Sequence, residues 1–199
     1  MNISAQAVQT IVFILLMAGW FSFAAIFIFR TKPPAEKTRR RERASIFGIV
    51  LQALSYFVVW VAWRRPGVLF IERGGLPLVI ALSLLTLLLE LYSLWLVRGA
   101  VRALGKQWSL TARVTEGHRL VIEGPYRIVR NPIYTGMLGM LLATGFAFSR
   151  WPALVVGVVV FITGTMIRVR SEEKLLRETF GEEFEAYAKR VPALIPGLY

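Results

Sequence analysis

The 199-residue chain has no cysteine, no aspartate and a single histidine, His118. No disulfide framework or cysteine nucleophile can be built from it. A zinc site needs three or four nitrogen, sulfur or carboxylate ligands, and one histidine with scattered glutamates is a poor supply, so no metal is expected. A serine–histidine–carboxylate triad would have to recruit glutamate as its acid. Glycine-rich phosphate loops are missing too. The stretch GAVRALGK (99–106) has five residues between its glycines and Gln107 where a hydroxyl is required, and no GxGxxG occurs.

What remains is apolar and basic. Hydrophobic residues make up 56% of the chain, mean hydropathy is +0.57, and the formal net charge is +12. Soluble domains of this size are less apolar. Uncharged runs cover 11–29, 44–63, 132–148 and 151–167, and 77–97 carries only Glu90. Each is near the length needed to cross about 30 Å of hydrocarbon. The expectation is an all-α integral membrane bundle of five transmembrane helices. The last two form a hairpin (132–167) joined only by Ser149 and Arg150.

Alternate connections hold twenty Lys and Arg on one side and four on the other. The positive-inside rule then places the N-terminus outside and the C-terminus in the cytoplasm, in the inner membrane if the source is prokaryotic. The excess charge is thus expected to face anionic lipid, not nucleic acid. The first run lacks a charged leader and precedes TKPPAEKTRRRER, which predicts a retained span and not a cleaved signal. No internal repeat or soluble second domain is evident. Residues 1–97 read as a three-span scaffold, and 98–199 as a half that carries the chemistry.

Three segments of that half stand out. In EGPYRIVRNPIY (123–134), Pro132 suits a first helical position and Asn131 an N-cap. The helix then presents its positive end beside Arg127, Arg130, Tyr126 and Tyr134. In residues 168–190 a cytoplasmic amphipathic tail helix is expected, because Leu176, Phe180, Phe184, Tyr187 and Val191 recur at steps of four and three. Arg168 and Glu172 fall on that same face, with Glu173 about 100° round. In WSLTARVTEGHRLVIEG (108–124), His118 precedes the apolar pair Leu120 and Val121. Glu90 could pair with an arginine, meet a helix end or line a substrate path.

Taken together, HRLVIEGPYRIVRNPIYTG, a two-helix hairpin and RVRSEEKLLRETFGEEFEAYAKRVPALIP resemble the isoprenylcysteine carboxyl methyltransferase family, which is related to phospholipid N-methyltransferases. The resemblance covers about residues 100–197. It implies an S-adenosylmethionine pocket formed by His118, Leu120, Val121, Tyr126, Asn131, Pro132, Tyr134, Glu172 and Glu173. It also implies that Arg168 contacts the acceptor and that Glu172 acts beside it. Asn131 stands where that family usually has histidine, so no proton shuttle is expected there. The implied reaction is methyl transfer to the carboxylate of an isoprenylcysteine-like, lipophilic acceptor entering from the bilayer. A lipid amine, a small thiol or an NADPH-dependent reduction are the alternatives. Gly136, Gly139, Ala143 and Gly145 are expected to let the hairpin pack closely.

Overall fold

A computed structural model describes residues 3–29, 44–63, 71–105 and 119–197. Among them there is no β-strand. The elements are α1 (Ile3–Ile28), α2 (Ala44–Val61), α3 (Ile71–Leu104), a 3-10 turn (Gly124–Arg127), α4 (Pro132–Phe148), α5 (Trp151–Phe180) and α6 (Glu182–Ala188). The basic flank at 30–43 and His118 lie outside the described residues.

Three helices are long and apolar enough to cross a membrane: Ala5–Ile28, Gly75–Leu104 and Trp151–Phe180. The apolar segments Ser45–Val61 and Pro132–Phe148 are shorter. Large side chains such as Phe21, Phe57, Leu88 and Trp151 are exposed on the outside of the bundle, as lipid contact requires. At 1.5 Å per residue, the 30-residue α5 is about 45 Å long, more than the hydrocarbon needs. Its final part, from Arg168 onward, is charged and forms the polar end of the bundle.

Polar side chains join the helices where lipid offers no partner. Trp20 Nε1 donates to Thr144 Oγ1 at 3.0 Å, joining α1 to α4. The Tyr56 hydroxyl donates to the Met137 carbonyl at 2.6 Å, joining α2 to α4. Beyond α2, the Arg150 amide donates to the Ala62 carbonyl at 3.1 Å and fixes the turn between α4 and α5.

The packing partners differ from those expected of a self-contained hairpin. α4 lies mainly on α3, and α5 mainly on α2. A Cβ on Gly136 would stand 2.4 Å from Val97 Cγ2, and one on Gly139 would stand 2.2 Å from Ser93 Oγ. These two glycines therefore admit α3. Ala143 packs with Leu16 and Phe148, and only Gly145 faces α5, at Leu154. Ser149 and Arg150 turn the chain, but α4 and α5 give their main packing surfaces to α3 and α2.

The tail is also not one helix over 168–190. α5 continues without interruption from its apolar part to Phe180 and stops at Gly181, whose φ of 49° is open to glycine and strained for other residues. α6 follows as a separate helix. The expected apolar stripe nevertheless assembles across this break: Phe184, Tyr187 and Val191 form a buried cluster with Leu176, Phe180 and Leu120 around it.

Glu90 is buried on α3 with its carboxyl against the backbone of α1. A Cβ on Gly19 would lie 1.3 Å from Glu90 Oε1. Among the described residues it makes no ion pair.

The α2–α5 contact is tightest at Gly48 and Gly164. A Cβ on Gly164 would stand 2.7 Å from Leu51 Cβ and 2.8 Å from the Gly48 carbonyl. Because backbone atoms cannot retreat as side chains do, Gly164→Ala is expected to destabilise the bundle by about 1–3 kcal/mol. Thermal unfolding in detergent, beside Gly157→Ala as a second glycine on the same helix face, measures this.

Candidate active site

The site forms at the polar end, where α2, α4 and α5 converge. α5 supplies Arg168 and Glu172 one turn apart, α4 supplies Tyr134 from its first turn, and α2 supplies Gln52. Arg168 is 5% exposed. Its Nη1 donates to Gln52 Oε1 at 3.1 Å, and its Nη2 lies 3.5 Å from Glu172 Oε1. The guanidinium also sits 5.0 Å from the centre of the Tyr134 ring, within range of a cation–π attraction. The Tyr134 hydroxyl donates to the same oxygen, Glu172 Oε1.

The side chains are graded in exposure. Tyr134 and Arg168 are buried, whereas the Glu172 side chain is 25% exposed. Glu172 is therefore the member of the trio that an incoming cation or hydroxyl can reach. Both terminal nitrogens of Arg168 already have acceptors within the protein. Bidentate capture of a carboxylate by this arginine requires one of these contacts to open.

Glu173 is occupied elsewhere. Arg130 Nε donates to its Oε1 at 3.0 Å, and Arg177 Nη2 to its Oε2 at 3.3 Å. Arg130 Nη1 further donates to the carbonyls of Ala188, at 2.8 Å, and Val191. One arginine thus ties the start of α4 to α5 and to the chain beyond α6.

The backbone continues the attachment. The Arg130 amide donates to Pro192 O at 2.8 Å, and the Asn131 amide to Ala193 O at 3.1 Å. Thr135 Oγ1 reaches Leu194 O at 2.6 Å. Asn131 precedes α4, but its side chain makes no capping bond. Its Nδ2 donates to Ala193 O at 3.1 Å, so the expected cap serves as a tail fastener. The Asn131 carbonyl still accepts the first helical bond, from the Thr135 amide at 3.1 Å.

Tyr126 lies in the 3-10 turn, which seats on α3 where Gly99 leaves room. A Cβ there would stand 2.7 Å from Pro125 Cγ. Its ring is buried beside Ala100 and Val121. The Tyr187 hydroxyl donates to the Tyr126 carbonyl at 2.7 Å. Burial holds both phenols above their usual range, and for Tyr126 the nearby Glu172 carboxylate adds to this. Both remain neutral donors at physiological pH.

The structure therefore brings Tyr134, Arg168 and Glu172 together, with Tyr126 beside them. Pro132 is buried at the first position of α4. Val121 packs under Tyr126, and Leu120 packs on the tail cluster. Gln52 was missed by the sequence reading. Its signal was present: an amide in the middle of an otherwise apolar run, where a polar side chain needs a partner.

A membrane-type helical bundle with a cationic, aromatic and acidic cluster at one end is the class these features define. Residues 81–183 match the phospholipid methyltransferase family, and the chain belongs to that family. It is 34% identical over 84 residues to protein-S-isoprenylcysteine O-methyltransferase B of Arabidopsis thaliana, covering 42% of this chain and 43% of that protein. It is 42% identical over 77 residues to methanethiol S-methyltransferase of Pseudomonas deceptionensis, covering 37% and 27%. It is 28% identical over 109 residues to the cobalt-zinc-cadmium resistance protein CzcN of Cupriavidus metallidurans, covering 54% and 50%. The chain thus spans about half or less of the length of these relatives. Most of the site falls inside the matched stretch; Gln52, Tyr187 and the tail beyond it fall outside.

Removing one partner of a buried ion pair costs about 3–5 kcal/mol. Arg130→Gln is expected to lose stability of that order and to release the tail. Limited trypsin digestion reads the release directly, as faster cleavage after Lys189 and Arg190, with Arg127→Gln as the exposed control.

Proposed function

We propose that the chain is an S-adenosylmethionine-dependent membrane methyltransferase, transferring methyl to the carboxylate of an isoprenylcysteine-like lipophilic acceptor. The observation that carries this reading is the Tyr134–Glu172–Arg168 cluster, which lies within the stretch matching the family.

The residues suit the polar end of such a cofactor. Glu172 offers a partly exposed carboxylate to an ammonium or ribose hydroxyls, Tyr126 adds a hydroxyl donor, and Tyr134, whose proton is committed to Glu172, adds an aromatic face. When bound, the cofactor supplies a methyl group on an electrophilic sulfonium. The chain's own part is to orient and to exclude water. A carboxylate acceptor is already nucleophilic, so no general base is required, and a chain with one histidine and no aspartate suffices. Arg168 meets the acceptor by turning Nη2 from its 3.5 Å contact with Glu172 toward a substrate oxygen, while Gln52 keeps Nη1 and Glu172 retains its place through Tyr134. His118 joins the cofactor pocket in this reading, and Glu173 supports it from behind through Arg130.

The same reading takes α2 and α4 as spans alongside the three longer helices. It places the N-terminus outside and the site at the cytoplasmic face, in the inner membrane if the source is prokaryotic. The cofactor enters from the aqueous side and the acceptor from the lipid. A small thiol is the second reading. It is favoured by the likeness to a methanethiol S-methyltransferase and by the prior engagement of both Arg168 terminal nitrogens.

The purified protein is expected to gain about 5–10 °C in unfolding midpoint with S-adenosylhomocysteine at a hundred times its Kd, and nothing with NADPH. Glu172→Gln should lose most of that gain. Arg168→Ala should keep it yet fail to transfer radiolabelled methyl to N-acetyl-S-farnesylcysteine or methanethiol. Stabilisation by NADPH alone would point instead to a reductase. Loss of the gain in Arg168→Ala would reverse the two roles.

A further inference from the structure

We infer that Gln52, on α2, is a positioning residue that sets the orientation of the Arg168 guanidinium for the acceptor, with Thr165 fixing Gln52 in turn. The inference deepens the methyltransferase reading and rests on it.

The arrangement is directional. A glutamine amide can turn either its oxygen or its nitrogen toward a neighbour. Here Gln52 Nε2 donates to Thr165 Oγ1 at 2.8 Å, which commits Oε1 to the opposite side. That oxygen accepts from Arg168 Nη1 at 3.1 Å. Gln52 is 2% exposed and Thr165 fully buried, so water does not compete for these bonds. Thr165 and Arg168 are three residues apart on α5, and Gln52 bridges both from α2. The amide thus references the guanidinium to the rigid body of its own helix.

The stem of Arg168 is confined as well. It crosses Gly48 on α2, where a Cβ would stand 2.4 Å from Arg168 Cγ. α2 therefore provides both the channel for the stem and the stop for the head. Glu172 draws Nη2 toward the exposed side, while Gln52 holds Nη1 at the buried side. The line between these acceptors fixes the plane of the fork, with the Tyr134 ring near it. Gln52 is uncharged, so it orients the cation without neutralising it. A glutamate in its place would set a second carboxylate against a charge that Glu172 already faces.

A lost hydrogen bond to a charged group corresponds to roughly a 10- to 100-fold change. Gln52→Leu is expected to lower kcat/KM by that factor for N-acetyl-S-farnesylcysteine or methanethiol, whichever the wild type methylates. Stabilisation by S-adenosylhomocysteine should stay within about twofold in apparent affinity, because Glu172 keeps its Tyr134 donor. Thr165→Val should shift the same parameter in the same direction, and it keeps the question answerable if Gln52→Leu folds poorly. In an Arg168→Lys background, adding Gln52→Leu should cost little more, since its target is gone. Unchanged kcat/KM in both single variants, or full additivity with Arg168→Lys, would overturn the inference. A lower unfolding midpoint with wild-type kcat/KM would assign Gln52 a packing role only, which also overturns it. Wild-type protein that neither transfers methyl nor responds to S-adenosylhomocysteine would instead remove the functional reading beneath it.

Discussion

The cluster at the polar end is organised around the buried positive charge of Arg168. A guanidinium taken out of water is costly unless every side of it meets something polar or polarisable. Three helices supply partners to it here: α5 with Glu172, α2 with Gln52, and α4 with the face of Tyr134. The cost of the charge thus becomes a constraint on architecture. Gly48 and Gly164 let α2 approach closely enough for Gln52 to reach, and Pro132 starts α4 two residues before Tyr134. Displace any of the three helices and the cation loses a contact that water does not replace at that depth.

Two adjacent carboxylates divide the labour. Glu172 faces Tyr134 and Arg168 and retains some exposure. Glu173, about 100° round the helix, is enclosed by Arg130 and Arg177. One turn of α5 therefore presents an open acid to the site and a closed acid to the tail. The proposed chemistry and the fastening share a helix but not a side chain. This separation matters for the proposed methyl transfer, because a carboxylate already held by two arginines has little capacity left for a cofactor.

Much of this was legible in the sequence, for reasons that differ by residue. The apolar runs revealed the helices because lipid-facing segments must be apolar throughout. Arg168 and Glu172 were legible because a spacing of four on a helix is contact. Pro132 marked the start of α4 because its missing amide is harmless only there. What escaped depended on distance along the chain. Gln52 and Arg168 are 116 residues apart, and local pattern does not pair them. The break at Gly181 was hidden because the apolar stripe continues across it in register. The fate of the Asn131 side chain was decided by the tail, 62 residues further on. The partners of Gly136 and Gly139 were misjudged because a short turn suggested contact between α4 and α5, whereas each helix gave its main surface to another neighbour.

The strap over α4 is gripped almost wholly by its peptide groups: Arg130, Asn131 and Thr135 bond to the carbonyls of Ala188, Val191, Pro192, Ala193 and Leu194. Such a grip is blind to side-chain identity wherever the side chain is not itself packed. Half-buried Ala193 and Leu194 are thus free to diverge in evolution, while the three residues that hold them are not. Sequence drift in this part of the tail leaves its anchorage unchanged, and a heritable change of hold would register at 130, 131 or 135 instead.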